Sequence, residues 1–167
     1  MKSIMISIQP KWCAKIESGV KTIEVRKTRP KIETPFKCYI YCTFPQKPVY
    51  DIWINRGTKN RFLGNGKVIG EFVCDRINAL NGYWLNGEDS LKESTCLDIM
   101  DYIEYINRTF YLWRISDLKI YDKPKELGAF RKPCGLGTGC EDCDDIYFMN
   151  CKNPLPRPPQ SWCYVEE

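Results

Sequence analysis

Gly19-Val20-Lys21-Thr22-Ile23-Glu24-Val25-Arg26 is a joint between two kinds of local structure. Before it, Pro10 suits the first turn of a helix, and Trp12, Cys13 and Ile16 then fall on one helical face. Ser18-Gly19 stops that helix, because glycine tolerates the left-handed C-cap. From residue 22 the pattern alternates as in a strand, with Ile23 and Val25 on one side and Thr22, Glu24 and Arg26 on the other. Lys21 sits at the mouth of the turn. A hydroxyl, a carboxylate and a guanidinium in a row, beside an amine, can hold a polar planar ligand. Arg and Lys suit phosphate, and Glu suits ring or exocyclic amino groups. The competing reading is a solvated strand face carrying a Glu–Arg pair.

Outward from this joint, residues 3–8 are Ile-rich and alternate, which predicts a buried or half-buried strand. Residues 37–43 predict another, with Tyr39, Ile40 and Tyr41 supplying β propensity. Residues 44–66 carry Pro45, Pro48, Gly57, Gly64 and Gly66 and read as a loop or insertion. The clearest long strand is 67–77, with Gly70 a candidate bulge. Leu97, Met100, Ile103 and Ile106 have helical spacing over 96–106, with Thr95 as the expected cap. Strands at 109–114 and 117–121, a helical turn at 125–130 and a terminal strand at 162–165 complete the pattern. Many short strands with two or three flanking helices predict an α+β fold centred on a small β-barrel. Residues 1–167 form a single domain in this reading, with 131–160 a Cys-rich knob inserted before the last strand.

Composition sets the outer limits. A chain of 167 residues supports one full core. No apolar run approaches the ~18 residues of a membrane span. The N-terminus lacks the apolar core and cleavage site of a signal peptide, so a cytoplasmic location is expected and no membrane. The formal charge of +4 leans only slightly toward polyanions, but the basic residues cluster. Lys21, Arg26, Lys27, Arg29 and Lys31 form one group, and Arg56, Lys59, Arg61 and Lys67 another. Histidine is absent, which excludes Ser-His-Asp triads, Cys-His nucleophiles and His-bearing zinc sites. Trp53, Tyr83, Trp84, Trp113 and Trp162 offer base-stacking surfaces or, alternatively, core filling.

The ten cysteines divide in two. Cys13, Cys38, Cys42, Cys74 and Cys96 lie in apolar or strand-like stretches and read as small hydrophobes, as does Cys163 in the last strand. Cys134, Cys140, Cys143 and Cys151 lie in a Gly- and Pro-containing segment with little core of its own. Four thiolates at such spacing can make a tetrahedral structural zinc site, while reduced thiols in a loop and a redox pair remain open alternatives.

The order strand, short helix, then Gly-x-Lys-x-x-Glu-x-Arg resembles the signature of ASCH domains in the PUA-like superfamily. Here it is Gly19, Lys21, Glu24 and Arg26, preceded by Ile8-Gln9-Pro10-Lys11-Trp12. A looser likeness runs through 66–77 and 113–130, and the ending Arg157-Pro158-Pro159-Gln160-Ser161-Trp162-Cys163-Tyr164 is similar to longer ASCH proteins of Firmicutes and their phages. The resemblance implies a PUA-like barrel whose cleft beside the signature binds RNA or a modified nucleoside, with Lys21, Thr22, Glu24 and Arg26 as ligand contacts. One bacterial branch of similar fold is an amidohydrolase acting on N4-acetylcytidine through a Lys, a Thr and a Glu. Its Lys matches Lys21, but Glu24 stands at its Thr position, and Glu71 is only a nearby carboxylate. The alternative it implies is hydrolysis of an acylated cytidine-type nucleoside. Lys21 would be catalytic base or nucleophile, and Glu24 would hold its partner proton. A protein-interaction module is the third class.

Overall fold

Ser3–Ile8 forms β1, and all six residues are buried. A strand covered on both faces has no solvent side to mark. Ile4, Ile6 and Ile8 enter one apolar cluster with Ile40, Phe72 and Trp113, while Met5 enters a second with Tyr39, Tyr121, Phe130 and Val165. The structure, a computed structural model, describes residues 2–45, 53–54, 62–81, 89–97, 108–133 and 155–166.

After β1 come Pro10–Glu17 (α1), Ile23–Arg26 (β2), Phe36–Cys42 (β3), Trp53–Ile54 (β4), Phe62–Leu63 (β5) and Lys67–Asn81 (β6). Asp89–Thr95 (α2), Thr109–Lys125 (β7), a 3-10 turn at Leu127–Ala129 and Trp162–Val165 (β8) follow. Six strands pair in the order β2-β7-β6-β3-β1-β8, and β4 and β5 make a separate two-stranded ladder. β1 runs parallel to β3; the other pairings in the large sheet are antiparallel. This is a mixed α+β sheet, as expected.

The small barrel is corrected in one respect: the sheet is not closed. Its edges, β2 and β8, are four residues each and share no ladder. Pro30 follows β2 and Pro158 and Pro159 precede β8, so a backbone donor is missing at these positions on both flanks of the seam. Side chains bridge it instead. Trp162 Nε1–H donates to Thr28 Oγ1 at 3.0 Å, and the Lys31 N–H donates to Tyr164 Oη at 2.9 Å.

One further expectation changes. The strands predicted at 109–114 and 117–121 are one bent strand, β7, whose register against β6 shifts three times. Asp117 takes a φ of 47° within it. One of these shifts lies at Gly70, where an added Cβ would stand 2.5 Å from the Lys119 carbonyl oxygen; the bulge needs glycine there. Thr95 is the last residue of α2. Its hydroxyl donates back to the Leu91 carbonyl at 2.7 Å and accepts from the Leu97 N–H at 3.5 Å. Cys96 then leaves the helix with a φ of 56°. Residues 98–107 of the predicted helix lie outside the described residues.

The base of the expected knob is pinned by backbone hydrogen bonds. The Leu155 N–H donates to the Phe130 carbonyl at 2.7 Å, and Arg131 pairs with Glu166. The knob's body, with all four proposed zinc ligands, lies outside the described residues. Among those residues, no helix is long and apolar enough to cross a membrane.

Cys13, Cys38, Cys42 and Cys74 are buried in the first cluster, as small hydrophobes should be, whereas Cys96 and Cys163 are partly exposed. Burial pushes the Cys13 and Cys38 thiols well up, and that of Cys74 from 9.0 to about 12. The fold therefore prefers these thiols protonated. Their contribution to stability is complete below the ordinary thiol pKa and is lost as pH rises through the folded value. In urea unfolding, stability is expected to fall as pH rises above about 9, and Cys74→Ala is expected to flatten that decline. An unchanged slope in the variant would remove Cys74 from the dependence.

Candidate functional site

The helix end places the first functional side chain. Gly19 has a φ of +77°, its N–H donates to the Ile16 carbonyl at 2.9 Å, and the Lys21 N–H folds back to the Lys15 carbonyl at 2.9 Å. This tight reversal carries Lys21 inward, and it is only 2% exposed. Its Nζ donates to the carbonyls of Ile23 at 2.8 Å and Thr95 at 2.6 Å. The second bond ties the end of α2 to the start of β2. The Trp12 ring lies 5.3 Å from Nζ, within cation–π range.

β2 then sorts its side chains as the alternation predicts. Ile23 and Val25 pack outward against Leu80, Leu91, Leu97, Phe110 and Leu112. Glu24 is opposite Trp113 of β7 and is buried. Its Oε2 lies 3.4 Å from Lys21 Nζ, and its Oε1 lies 3.0 Å from Arg26 Nη2. Arg26 in turn donates to the Ser7 carbonyl at 2.7 Å, and at 3.3–3.4 Å to the Ser161 hydroxyl and carbonyl. The result is an alternating chain of amine, carboxylate and guanidinium, sheltered from solvent. It is not the solvated face that a Glu–Arg pair usually makes.

Each buried ion costs several kcal/mol to desolvate, so the chain is stable only because charge alternates and carbonyls take the spare donors. The satisfaction is incomplete. Glu24 Oε2 lies near the ammonium but accepts no hydrogen bond, and Arg26 Nε and Trp113 Nε1 are likewise buried without a partner. Exposure of the side chains rises from 2% at Lys21 through 8% at Glu24 to 13% at Arg26, so the cluster is most open at the seam between β2 and β8.

Of the four residues proposed as contacts, Lys21, Glu24 and Arg26 come together, while Thr22 stays exposed. The backbone of Thr22 is used, its N–H on the Ser94 carbonyl and its carbonyl on the Ile115 N–H. Glu71 lies on the other face of the sheet, beside Tyr39, accepting from Tyr121 Oη at 2.6 Å and Lys37 Nζ at 3.4 Å. It does not reach the cluster. Trp113 is fully buried and meets Phe36 edge-on, so it fills the core. Trp162 is partly exposed; the side chains of Trp53, Tyr83 and Trp84 lie outside the described residues. Cys134, Cys140, Cys143 and Cys151 do too, and among the described residues no group of three or more His, Cys, Asp or Glu can hold a metal.

Ser7, Thr95 and Ser161 are the partners that sequence reasoning missed. They meet the cluster mainly through backbone carbonyls 19 to 135 residues away in sequence, and a carbonyl carries no residue-type signal.

No protein-family model matches the sequence, and no curated protein does. Solved structures do. The ASCH protein of Zymomonas mobilis superposes with a TM-score of 0.60 at 18% identity, covering 99% of this chain and 88% of that one. A variant with a serine replaced by alanine gives 0.57 at 17% identity, over 99% and 89% of the two chains. A second variant, with a tyrosine replaced by phenylalanine, gives 0.54 at 20% identity over 76% and 77%. The chain therefore has the ASCH fold.

Replacing Lys21 by Met would leave Glu24 with one cation and would take the ammonium donor away from the Ile23 and Thr95 carbonyls. A loss of about 3–5 kcal/mol is expected in urea unfolding. Adding Glu24→Gln should return part of it, because the stranded charge is then gone. A loss below about 1 kcal/mol for Lys21→Met would show that the buried amine is not holding α2 to β2.

Proposed function

We propose that the protein binds RNA or a modified nucleoside, reading the edge of an unpaired base at the Lys21–Glu24–Arg26 cluster. The observation that carries this reading is the unspent hydrogen-bonding capacity of the pair Glu24 and Arg26. Glu24 is engaged through Oε1 and Arg26 through both terminal nitrogens, yet each keeps one buried atom without a hydrogen-bond partner, an acceptor at Glu24 Oε2, which only faces the Lys21 ammonium at 3.4 Å, and a donor at Arg26 Nε. Nucleobases present amino donors beside ring-nitrogen or carbonyl acceptors, the complement of such a pair. A buried polar group left unpaired costs about 1–3 kcal/mol, so a ligand that satisfied both atoms would recover that cost on binding.

Binding is favoured over hydrolysis by the state of Lys21. Its amine donates to two carbonyls and stands against Glu24, which leaves it poorly placed to attack an acyl carbon. The ASCH fold agrees with a nucleic-acid or nucleoside ligand in kind. It does not choose the base. If metal is held by Cys134, Cys140, Cys143 and Cys151, its part is structural, and metal analysis of the purified protein tests it directly.

Titration calorimetry with the four ribonucleosides, N4-acetylcytidine and a short single-stranded RNA should detect at least one ligand. Glu24→Gln keeps the shape of the side chain but turns one acceptor into a donor. It should weaken that ligand at least about tenfold, in line with the penalty for a mispaired buried group. Absence of binding by the unaltered protein to every one of these would overturn the reading. Release of acetate from N4-acetylcytidine would replace it with the hydrolytic one.

A further inference from the structure

The seam that exposes Arg26 continues outward into a strongly basic stretch. Residues 27–31 read Lys-Thr-Arg-Pro-Lys, and Lys27, Thr28, Arg29 and Lys31 are all exposed. The acids flanking it in sequence are Glu24, buried in the ion chain, and Glu33, which is exposed. This stretch is held against β8 by the bonds Thr28–Trp162 and Lys31–Tyr164. Trp162 and Tyr164 are both partly exposed and meet edge to face, with ring centroids 5.7 Å apart. The backbone that carries these cations is therefore held beside the aromatic rings along one lip of the seam.

We infer that residues 27–31 and the adjoining edge of β8 form a track for the backbone of a single-stranded nucleic acid, one base of which turns into the seam at Arg26. The inference rests on the function proposed above and narrows it: the natural partner is a strand, not a free nucleoside. Three observations support a strand. Glu24 is 6% exposed, so a base held in a duplex has no route to it, whereas an unpaired base can be turned inward. The cations lie outside the seam, where the phosphates flanking an inserted base would run. Fixed aromatic rings beside a basic groove are the arrangement that binds strands with little sequence preference.

The test compares strand length and charge position. Fluorescence anisotropy with labelled single-stranded RNA and DNA of about ten nucleotides, of mixed sequence, would be set beside calorimetry with single nucleosides. Arg29→Glu with Lys31→Glu changes two exposed side chains that lie outside the ion chain. Lys119→Glu with Lys123→Glu makes the same change in net charge on the far half of β7. The strand is expected to bind more tightly than any nucleoside. The first double variant is expected to lose at least about tenfold in strand affinity and to reduce the salt slope by about 1.4, while nucleoside affinity stays unchanged. The second is expected to lose much less. Equal losses in the two double variants, or a strand that binds no better than a nucleoside, would overturn the track and leave the base site standing. If neither strand nor nucleoside bound the unaltered protein, the base site itself would fall and the track with it. Comparison of RNA with DNA then assigns the sugar.

Discussion

Three charged side chains, buried in a row, connect parts of the chain that are otherwise far apart in sequence. Lys21 takes hold of the end of α2, and Arg26 reaches β1 through the Ser7 carbonyl and the approach to β8 through Ser161. Glu24 supplies the negative charge between them, and without it two cations would share a poorly solvated interior. The chain has an odd number of charges, two positive and one negative, and it keeps unpaired atoms on Glu24 and Arg26. A core selected for stability alone would more readily be apolar. The incompletely satisfied polar set is therefore where function is best sought.

The same cluster explains why the sheet can stay open. A ladder between β2 and β8 would supply backbone hydrogen bonds, but prolines stand on both flanks of the seam. Arg26, Thr28, Lys31, Trp162 and Tyr164 close it with side chains and one N–H instead. Two of those contacts, at Ser161, are long. A side-chain seam can part without unpairing strands, whereas a closed ladder cannot. Entry to the interior is thus concentrated beside the most exposed member of the ion chain.

Much of this was legible in the sequence because the decisive signals are local. The stop at Gly19 and the alternation of Ile23 and Val25 against Glu24 and Arg26 depend on neighbouring residues, and both stand as read. The likeness of the 19–26 segment to ASCH domains agrees with the ASCH fold found from structure. Thr95 reads as a cap, and its hydroxyl also bonds back within the last turn of α2, a use that residue type alone does not announce. The break expected near residue 115 was a bend in a continuous strand, because a bulge and a true strand end look alike when pairing partners are unknown. The depth of the cluster was not legible at all. Burial of Lys21 depends on the Thr95 carbonyl, and nothing in a run of residues 74 positions earlier announces it.

The pairing of β1 with β8 sets Ser3 directly across from Val165. Antiparallel partners stand about 5 Å apart, so the polypeptide enters and leaves this fold at nearly one spot. A unit with that property can be spliced into a surface loop of a host protein without prising the host apart. The architecture is thus portable, able to travel as a graft.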